Sequence, residues 1–262
     1  MNNIPFFSVI VVALNAEHQI GMTINSILNQ SCDDYEIIVK DGVSKDKTLT
    51  LVPDNEKIRL YSQKDSSIYD AMNQAISYSR GRYLIFMNCG DLFATPDVLH
   101  YMKCFIGNNN YGMVYGNYSR DEILHKQPSV LSRFYMYRTP LCHQTIFFGG
   151  SYLRQVYKYD ISYRILADYD LELRIMQVLS VAHADILVCS YLGGGVSESP
   201  KGIALKKKER KSILCSRFSL KERLIFEMKR QLTFPRLRSK LITSNNLIVK
   251  TVYQNLVNHL NH

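Results

Sequence analysis

The sequence lacks several features that would place it in a specialised class of protein. No run of about 18 apolar residues occurs, so a membrane-spanning helix is not expected. The six cysteines are scattered without a C-x-x-C pair, which gives no support for a zinc site and favours reduced thiols in a cytosolic protein. With 46% hydrophobic and 21% charged residues, and only 13 glycines and 7 prolines in 262 residues, collagen-like, coiled-coil and wholly disordered chains are excluded. What remains is an ordinary globular protein of one large domain, or of one domain with an appendage.

The first apolar run, residues 4–14, has the hydrophobicity of a signal peptide. No lysine or arginine precedes it, however, and its valines and isoleucines are typical of a buried strand. We therefore expect the first β-strand there rather than a signal peptide.

Basic residues are concentrated towards the carboxyl end of the chain. Residues 201–262 contain 15 lysines and arginines against three glutamates, whereas residues 1–200 contain 17 basic and 20 acidic residues. A near-neutral body with a strongly basic tail predicts an anionic partner for the tail.

The tail also contains apolar residues that share one face of a helix predicted over residues 212–232. A basic, amphipathic helix is typical of binding to anionic lipid. A helix packed on its own domain is the alternative. Nucleic-acid binding is not expected, because the tail has no aromatic RNA-binding motif.

Short apolar runs rich in valine and isoleucine alternate with helix-length segments in the first half of the chain. Strands are predicted near residues 7–14, 35–39, 58–62 and 83–87, with helices near 20–30 and 66–79. This alternation predicts an α/β fold with a mostly parallel sheet flanked by helices.

Three aspartates come at or after the ends of successive predicted strands. Asp41 follows the second strand, Asp65 the third and Asp91 the fourth. Each of them alone could be a helix N-cap. Because ligands of parallel sheets bind beyond the carboxyl ends of the strands, the three together predict a ligand site.

Five motifs follow one another in a characteristic order. They are SVIVVALNAE at 8–17, IIVKDGVSKDKT at 37–48, QKDSSIYDAMNQAI at 63–76, RGRYLIFMNCGD at 80–91 and LADYDLELRI at 166–175. In this order they resemble the inverting family-2 glycosyltransferases with a GT-A fold, and more closely the bacterial branch that builds O-antigen, capsule and colanic acid. The resemblance implies a Rossmann-like GT-A domain over residues 1–200 and a basic helical appendage over residues 201–262.

The resemblance implies a set of residues that bind a nucleotide-sugar donor, in particular a UDP-hexose. Asp41 would accept hydrogen bonds from the base or ribose, and Asp65 would hold the nucleotide side of the donor. The remaining members of this predicted set are Asn15, Glu17, Tyr69 and Asn73. Ordinary helix roles remain open for the last two.

The resemblance also implies a divalent cation, Mn²⁺ or Mg²⁺, at an Asp-x-Asp motif or a variant of it. The matching segment is residues 88–91, in which only Asp91 keeps a carboxylate. A cation there would neutralise the charge of the departing diphosphate. With a single carboxylate, metal affinity in the absence of donor is expected to be low.

Inversion requires a base on the face opposite the leaving diphosphate, and the resemblance implies Asp168 for that role. The family has Glu-Asp-x-Asp at this point, and Ala167 replaces the glutamate here. Asp168 and Asp170 could instead stabilise the start of a helix predicted at residues 166–179. The pair His143–Gln144 resembles a His-Gln of the same branch and is predicted to line the donor phosphates or the acceptor, although a lone histidine is more often structural.

The acceptor implied by the resemblance is a sugar on a polyprenyl diphosphate. The chain would then lie on the cytoplasmic face of the inner membrane, bound to anionic lipid of the inner leaflet through residues 201–240. Two other functions remain open. A sugar nucleotidyltransferase shares the sheet, but it needs a basic Gly-rich loop that residues 14–17 do not provide. A catalytically decayed, membrane-docked scaffold is suggested by Asn88 and Ala167, which replace carboxylates.

Overall fold

The computed structural model describes residues 4–191 and 199–232, so the predicted tail beyond residue 232 lies outside the described residues. The strands are β1 (Phe7–Ala13), β2 (Tyr35–Asp41), β3 (Ile58–Ser62), β4 (Tyr83–Phe86), β5 (Leu92–Phe93), β6 (Met113–Arg120), β7 (Ile123–His125), β8 (Ile146–Gly149) and β9 (Val181–Tyr191). The α-helices are α1 (Ile20–Leu28), α2 (Ile68–Tyr78), α3 (Val98–Ile106), α4 (Arg133–Arg138), α5 (Gly150–Gln155), α6 (Ala167–Met176), α7 (Pro200–Arg217) and α8 (Leu220–Leu232).

Over the described residues, these strands form one sheet with the order β3-β2-β1-β4-β8-β6-β9-β5, and β7 pairs with β6. The first four strands are parallel to one another, with β1 between β2 and β4. The predicted α/β fold is confirmed. Parallel pairing is less general than predicted, because β8 is antiparallel to β4 and β6, and β5 is antiparallel to β9. Chain order reverses between β1 and β4, which is where an open sheet leaves a crevice for ligands.

Alternation along β1 places its side chains in two separate cores. Val9 and Val11 pack with α1 and α3 on one face of the sheet. Ile10 and Val12 pack with α2, α6 and α7 on the other face. Because β1 is buried on both sides, its sequence is apolar throughout instead of alternating with polar residues. The expectation of a buried strand at the first apolar run is confirmed.

The single helix predicted over residues 212–232 is wrong, because the chain forms two helices there. Phe218 is extended, with φ of −126° and ψ of 132°, and ends α7. Ser219 and Glu222 then form a capping box: the Glu222 N–H donates to Ser219 Oγ, and the Ser219 N–H donates to Glu222 Oε2. The apolar face predicted for one helix is therefore divided between the two helices. Phe218, at the end of α7, is buried, whereas Leu224, on α8, is 60% exposed.

A helix that crosses a bilayer needs about 20 mostly apolar residues. Among the described residues, no helix combines the length and the apolar character that a membrane span needs.

Candidate active site

Asp41 organises the turn that follows β2. Its buried carboxylate accepts hydrogen bonds from the N–H groups of Val43 (2.8 Å) and Ser44 (3.0 Å), and from the hydroxyls of Ser44 and Ser62. Burial raises the pKa of Asp41, but these hydrogen bonds outweigh it and the net pKa lies below its ordinary value. Val43 has φ of +69°, a costly conformation for a β-branched residue. The carboxylate therefore holds a strained turn in place.

Asn15 and Glu17 join the loop after β1 to this same turn. Asn15 Oδ1 accepts from the N–H of Lys45 at 2.9 Å, and Glu17 Oε2 accepts from the N–H of Lys47 at 3.0 Å. The N–H of Asn15 donates to Ser44 Oγ at 2.8 Å. These predicted donor-binding residues thus hold two adjacent loops together at the carboxyl ends of β1 and β2.

Asp65 lies against the Asp41 turn through a buried lysine. Lys40 is fully buried, and its Nζ donates to Asp65 Oδ2 at 3.0 Å and to the carbonyl of Asp41 at 2.9 Å. A Cβ on Gly42 would lie 2.9 Å from Asp65 Oδ2, so a larger residue at this position would displace the Asp65 carboxylate. Lys40 was not singled out from the sequence, because a lysine near the end of a strand is usually exposed to solvent.

Asp91 lies in the turn after β4 and is 5% exposed. Burial raises its pKa to about 6, while hydrogen bonds from Gln144 and Asn88 act in the opposite direction. Gln144 Nε2 donates to Asp91 Oδ2 at 3.0 Å. Asn88 Oδ1 is buried and has no hydrogen-bond partner among the described residues. A buried carboxylate beside an unpartnered amide oxygen suits a hard divalent cation, which takes oxygen ligands.

Asp168 is placed by the first turn of α6 and by α2. Its Oδ1 accepts from the hydroxyl of Tyr69 at 3.1 Å and from the N–H of Tyr169 at 2.8 Å. The Tyr69 hydroxyl also contacts the carbonyl of Ile165 at 2.7 Å. Tyr69 therefore contacts the predicted base, and its predicted role in nucleotide binding stays a prediction.

Asp168 belongs to a second group of side chains, which are of types that can transfer protons or bind metal ions. The group consists of His143, Asp168 and Glu172. Each residue offers one atom that can bind a metal, and these three atoms lie within 4.8 Å of one another. Burial raises the pKa of Glu172 well above its ordinary value and lowers that of His143, so charge is disfavoured on both. His143 Nδ1 and Glu172 Oε1 have no hydrogen-bond partner in the described part of the chain. These three residues could also hold a cation such as Mn²⁺.

Glu172 was missed as a candidate from the sequence. It lies four residues after Asp168 on α6, a spacing that places both carboxyls on one side of the helix. That spacing was the available signal, but an acidic residue near a helix start is also explained by the helix dipole.

Asn73 binds the backbone of Tyr159, an aromatic residue that contacts this cluster. Its Nδ2 donates to the carbonyl of Tyr159 and its Oδ1 accepts from the Tyr159 N–H, both at 2.9 Å. The Tyr159 hydroxyl lies 3.4 Å from His143 Nε2, and its ring stacks on Tyr69 at 5.4 Å. Asn73 thus fixes the backbone of Tyr159, and its predicted contact with nucleotide stays a prediction.

Hydrogen bonds connect the turn that contains Asp91 to the Asp41 turn and to the Asp168 cluster, which consists of His143, Asp168 and Glu172. The Cys89 thiol donates to the carbonyl of Val12 at 3.5 Å, and the N–H of Gly42 donates to the carbonyl of Ala13 at 2.9 Å, so both turns contact the end of β1. Gln144, bonded to Asp91, directly follows His143 of the Asp168 cluster. The turn that contains Asp91 is therefore linked to the Asp41 turn through the end of β1, and to the Asp168 cluster through Gln144.

Comparison with known sequences gives a consistent family. The model of "Glycosyl transferase family 2" matches residues 8–159, which is more than half of the chain. A "PGL/p-HBAD biosynthesis glycosyltransferase" of Mycobacterium tuberculosis is 29% identical over 206 residues, covering 74% of this chain and 80% of the relative. An "uncharacterized glycosyltransferase" of Haemophilus influenzae is 29% identical over 155 residues, covering 56% of this chain and 47% of the relative.

Solved structures share the fold at low sequence identity. Residues 1–349 of S. aureus TarS align with a TM-score of 0.66 and 16% identity, covering 95% of this chain and 78% of TarS 1–349. The same TarS fragment has been solved with UDP and with UDP-GlcNAc. The mannosyltransferase PcManGT of Pyrobaculum calidifontis, solved with GDP-Man and Mn²⁺, aligns with a TM-score of 0.57 and 14% identity, covering 96% of this chain and 87% of PcManGT. At these identities the likeness shows the fold.

Proposed function

Because this chain belongs to glycosyl transferase family 2, we propose that it moves a hexose, with inversion, from a UDP-sugar to a lipid-linked oligosaccharide. The observation that carries this proposal is the linkage of the turn that contains Asp91 to the Asp41 turn, through the end of β1, and to the Asp168 cluster, through Gln144. Such a site holds a donor diphosphate beside one carboxylate and an acceptor hydroxyl beside another.

The donor half of the proposed site consists of the loops after β1, β2 and β3. Asp41 and Asp65 would receive the base and ribose, and a donor N–H or O–H would replace the Ser62 hydroxyl on Asp41. Asn15 and Glu17 hold the loop after β1 against the loop after β2, which keeps both loops in place for this contact. UDP is proposed as the nucleotide because a protein of the same fold has been solved with UDP and with UDP-GlcNAc.

Asp91 and Asn88 would hold a divalent cation, Mn²⁺ or Mg²⁺. The fit rests on the buried Asp91 carboxylate and on the unpartnered Asn88 Oδ1, which form an oxygen donor set. When bound, the cation would neutralise negative charge on the departing diphosphate. Gln144 orients the Asp91 carboxylate for this task through its hydrogen bond.

The acceptor half of the proposed site is Asp168 with its supporting residues. Asp168 would accept the proton of the acceptor hydroxyl as the hydroxyl oxygen bonds to the anomeric carbon. The bond from that carbon to the diphosphate breaks, and the nucleoside diphosphate leaves with the electron pair. Tyr69 orients the carboxylate, and His143, held against Tyr159, would line the sugar-binding side.

The test of this proposal separates binding from turnover. Release of UDP from UDP-glucose, UDP-galactose and UDP-GlcNAc, with Mn²⁺ or Mg²⁺, selects the donor, and UDP affinity is measured by titration. Asp168→Asn should lose turnover and keep UDP affinity, whereas Asp54→Asn, at an exposed aspartate before β3, should change neither. Unchanged turnover in Asp168→Asn would remove the assignment of the base.

The proposal also concerns the acceptor and the place in the cell where the chain acts. An acceptor on polyprenyl diphosphate in bacterial surface-polysaccharide synthesis would require the chain to reach the inner leaflet. The support is an exposed apolar stripe on α8 formed by Leu220, Leu224 and Met228, which are 64%, 60% and 60% exposed. The exposed lysines of residues 206–208 on α7 add positive charge for anionic lipid. We propose peripheral docking through residues 201–240, of which 233–240 lie outside the described residues.

A further inference from the structure

A carboxylate on α7 binds the backbone directly before α6. Glu209 is 6% exposed although it follows three exposed lysines. Its Oε1 accepts from the N–H of Arg164 at 2.7 Å, and its Oε2 accepts from the N–H groups of Ile165 and Leu166, both at 3.0 Å. Three consecutive backbone donors thus converge on one side chain that lies more than 40 residues later in the chain.

These three donors belong to the segment that delivers Asp168. Leu166 is the N-cap of α6, and Asp168 lies two residues further on. The carbonyl of Ile165 contacts the Tyr69 hydroxyl, which also contacts Asp168. The segment is therefore held by Glu209 through its N–H groups and by Tyr69 through a carbonyl. Hydrogen bonds from N–H groups to a carboxylate are about twice as strong as neutral ones.

A second contact between α7 and α6 lies one turn further along. Asp170 is fully buried, and Arg217 of α7 donates to it from Nε at 2.7 Å and from a terminal guanidinium nitrogen at 3.2 Å. Arg174 donates to the same carboxylate at 2.9 Å. The start of α6 is thus fixed against α7 at two points, on either side of Asp168.

We propose that Glu209 is a positioning residue for catalysis, which sets the location of Asp168 by holding the backbone of residues 164–166. This inference rests on the proposed role of Asp168 as the base. It gives α7 a task separate from lipid docking, because Glu209 is buried while the neighbouring lysines are exposed. A displacement of about 1 Å in a reacting group can lower a rate by about a hundredfold.

The test compares two Glu209 variants with Asp168→Asn and with a matched control. Glu209→Gln removes one acceptor and turns an amide towards backbone N–H groups. Glu209→Asp keeps the charge and both carboxylate oxygens but shortens the side chain by one methylene. This variant tests the same contact if the glutamine variant fails to fold. Glu227→Gln makes the same substitution at a partly exposed surface ion pair with Arg230 on α8. Turnover is measured as UDP release from the preferred UDP-sugar, per folded enzyme, together with the Kd for UDP.

We expect kcat to fall about tenfold or more in both Glu209 variants. The Kd for UDP should stay within about twofold, since Asp41, Asp65 and Asp91 lie on other loops. Glu227→Gln should match the parent in both quantities. A folded Glu209→Asp with full kcat, beside an inactive Asp168→Asn, overturns the positioning role alone. Full turnover in Asp168→Asn overturns the proposed base and this inference with it. Equal losses of kcat and UDP affinity in the Glu209 variants indicate a general structural role and also overturn the inference.

Discussion

Gln144 Nε2 donates a hydrogen bond to Asp91 Oδ2 at 3.0 Å, and both side chains are buried. The contact crosses 53 residues of sequence and joins the turn after β4 to the short helical segment before β8. A carboxylate fixed by an outer hydrogen bond presents its remaining lone pairs in a defined direction, which is how outer residues set metal affinity.

Gln144→Ala should therefore weaken the cation site. We expect the Mn²⁺ concentration for half-maximal UDP release to rise about tenfold or more, with a smaller change in the Kd for UDP. Gln177→Ala, at an exposed glutamine after α6, is the matched control. A normal Mn²⁺ requirement with a lowered kcat would instead place Gln144 at the donor phosphates or the acceptor, as first predicted from the sequence.

Tyr69→Phe distinguishes two roles for that tyrosine. The hydroxyl contacts Asp168 Oδ1 at 3.1 Å and the Ile165 carbonyl at 2.7 Å. If it orients the base, its removal should lower kcat about fivefold to tenfold, the effect of about one hydrogen bond, and leave the Kd for UDP unchanged. Tyr101→Phe, at an exposed tyrosine on α3, should have no effect. A raised Kd for UDP with normal kcat would support the predicted nucleotide contact.

The places of the strand-end aspartates in the fold were predictable from the sequence because local patterns determine them. Continuous apolar runs specify buried parallel strands, and the residue after each strand lies at the carboxyl edge of the sheet. Asp41, Asp65 and Asp91 were therefore found by counting from strand ends. Their hydrogen-bond partners were not, since Gln144 reaches Asp91 across 53 residues and no spacing rule relates the two.

The surroundings of Asp168 show where sequence patterns fail to predict the structure. Glu209 stands in a run of lysines and arginines, which favours a solvated surface, yet its partners are backbone N–H groups that have no sequence signature. The division between α7 and α8 was a different kind of error. The S-x-x-E pattern of Ser219 and Glu222 marks the start of a helix, but the apolar periodicity continues across it and predicts a single helix.

The ion pair of Glu222 with Arg133 predicts a pH dependence of stability. Their atoms lie 2.8 Å apart and join α8 to α4. The hydrogen bond from Arg133, with those from Ser219, lowers the pKa of Glu222 from 4.5 to about 2. Since the folded pKa is the lower one, the stabilisation is present above pH 4.5 and is lost as the pH falls towards 2.

Glu222→Gln tests this, because glutamine keeps the capping box and removes the charge. The free energy of unfolding in urea should fall by about 1 kcal/mol or less at pH 7, as the pair is one-third exposed. The difference should shrink between pH 4.5 and pH 3. Glu56→Gln, at an exposed glutamate, should show no such trend. A difference that is the same at every pH would assign the effect to packing rather than to the ion pair.

The exposed stripe on α8 predicts how the chain associates with lipid. Leu220, Leu224 and Met228 follow one another at intervals of four residues, so they lie along one side of the helix. If this side enters the headgroup region, binding requires both apolar burial and anionic lipid. We expect sedimentation with phosphatidylglycerol vesicles at low ionic strength, little with phosphatidylcholine vesicles, and partial release as salt screens the attraction.

The double variant Leu224→Ser with Met228→Ser should lower partition into phosphatidylglycerol vesicles by about tenfold or more, because each side chain contributes apolar area. Its UDP release in solution should match the parent, since both side chains are 60% exposed on α8. Val130→Ser removes an exposed valine that is outside α7 and α8 and should leave partition unchanged. A parent protein that stays in the supernatant with anionic vesicles at low salt would rule out lipid docking. In that case α7 and α8 would serve the catalytic domain alone, α7 through the contacts of Glu209 and Arg217 with the segment around Asp168, and α8 through the ion pair of Glu222 with Arg133.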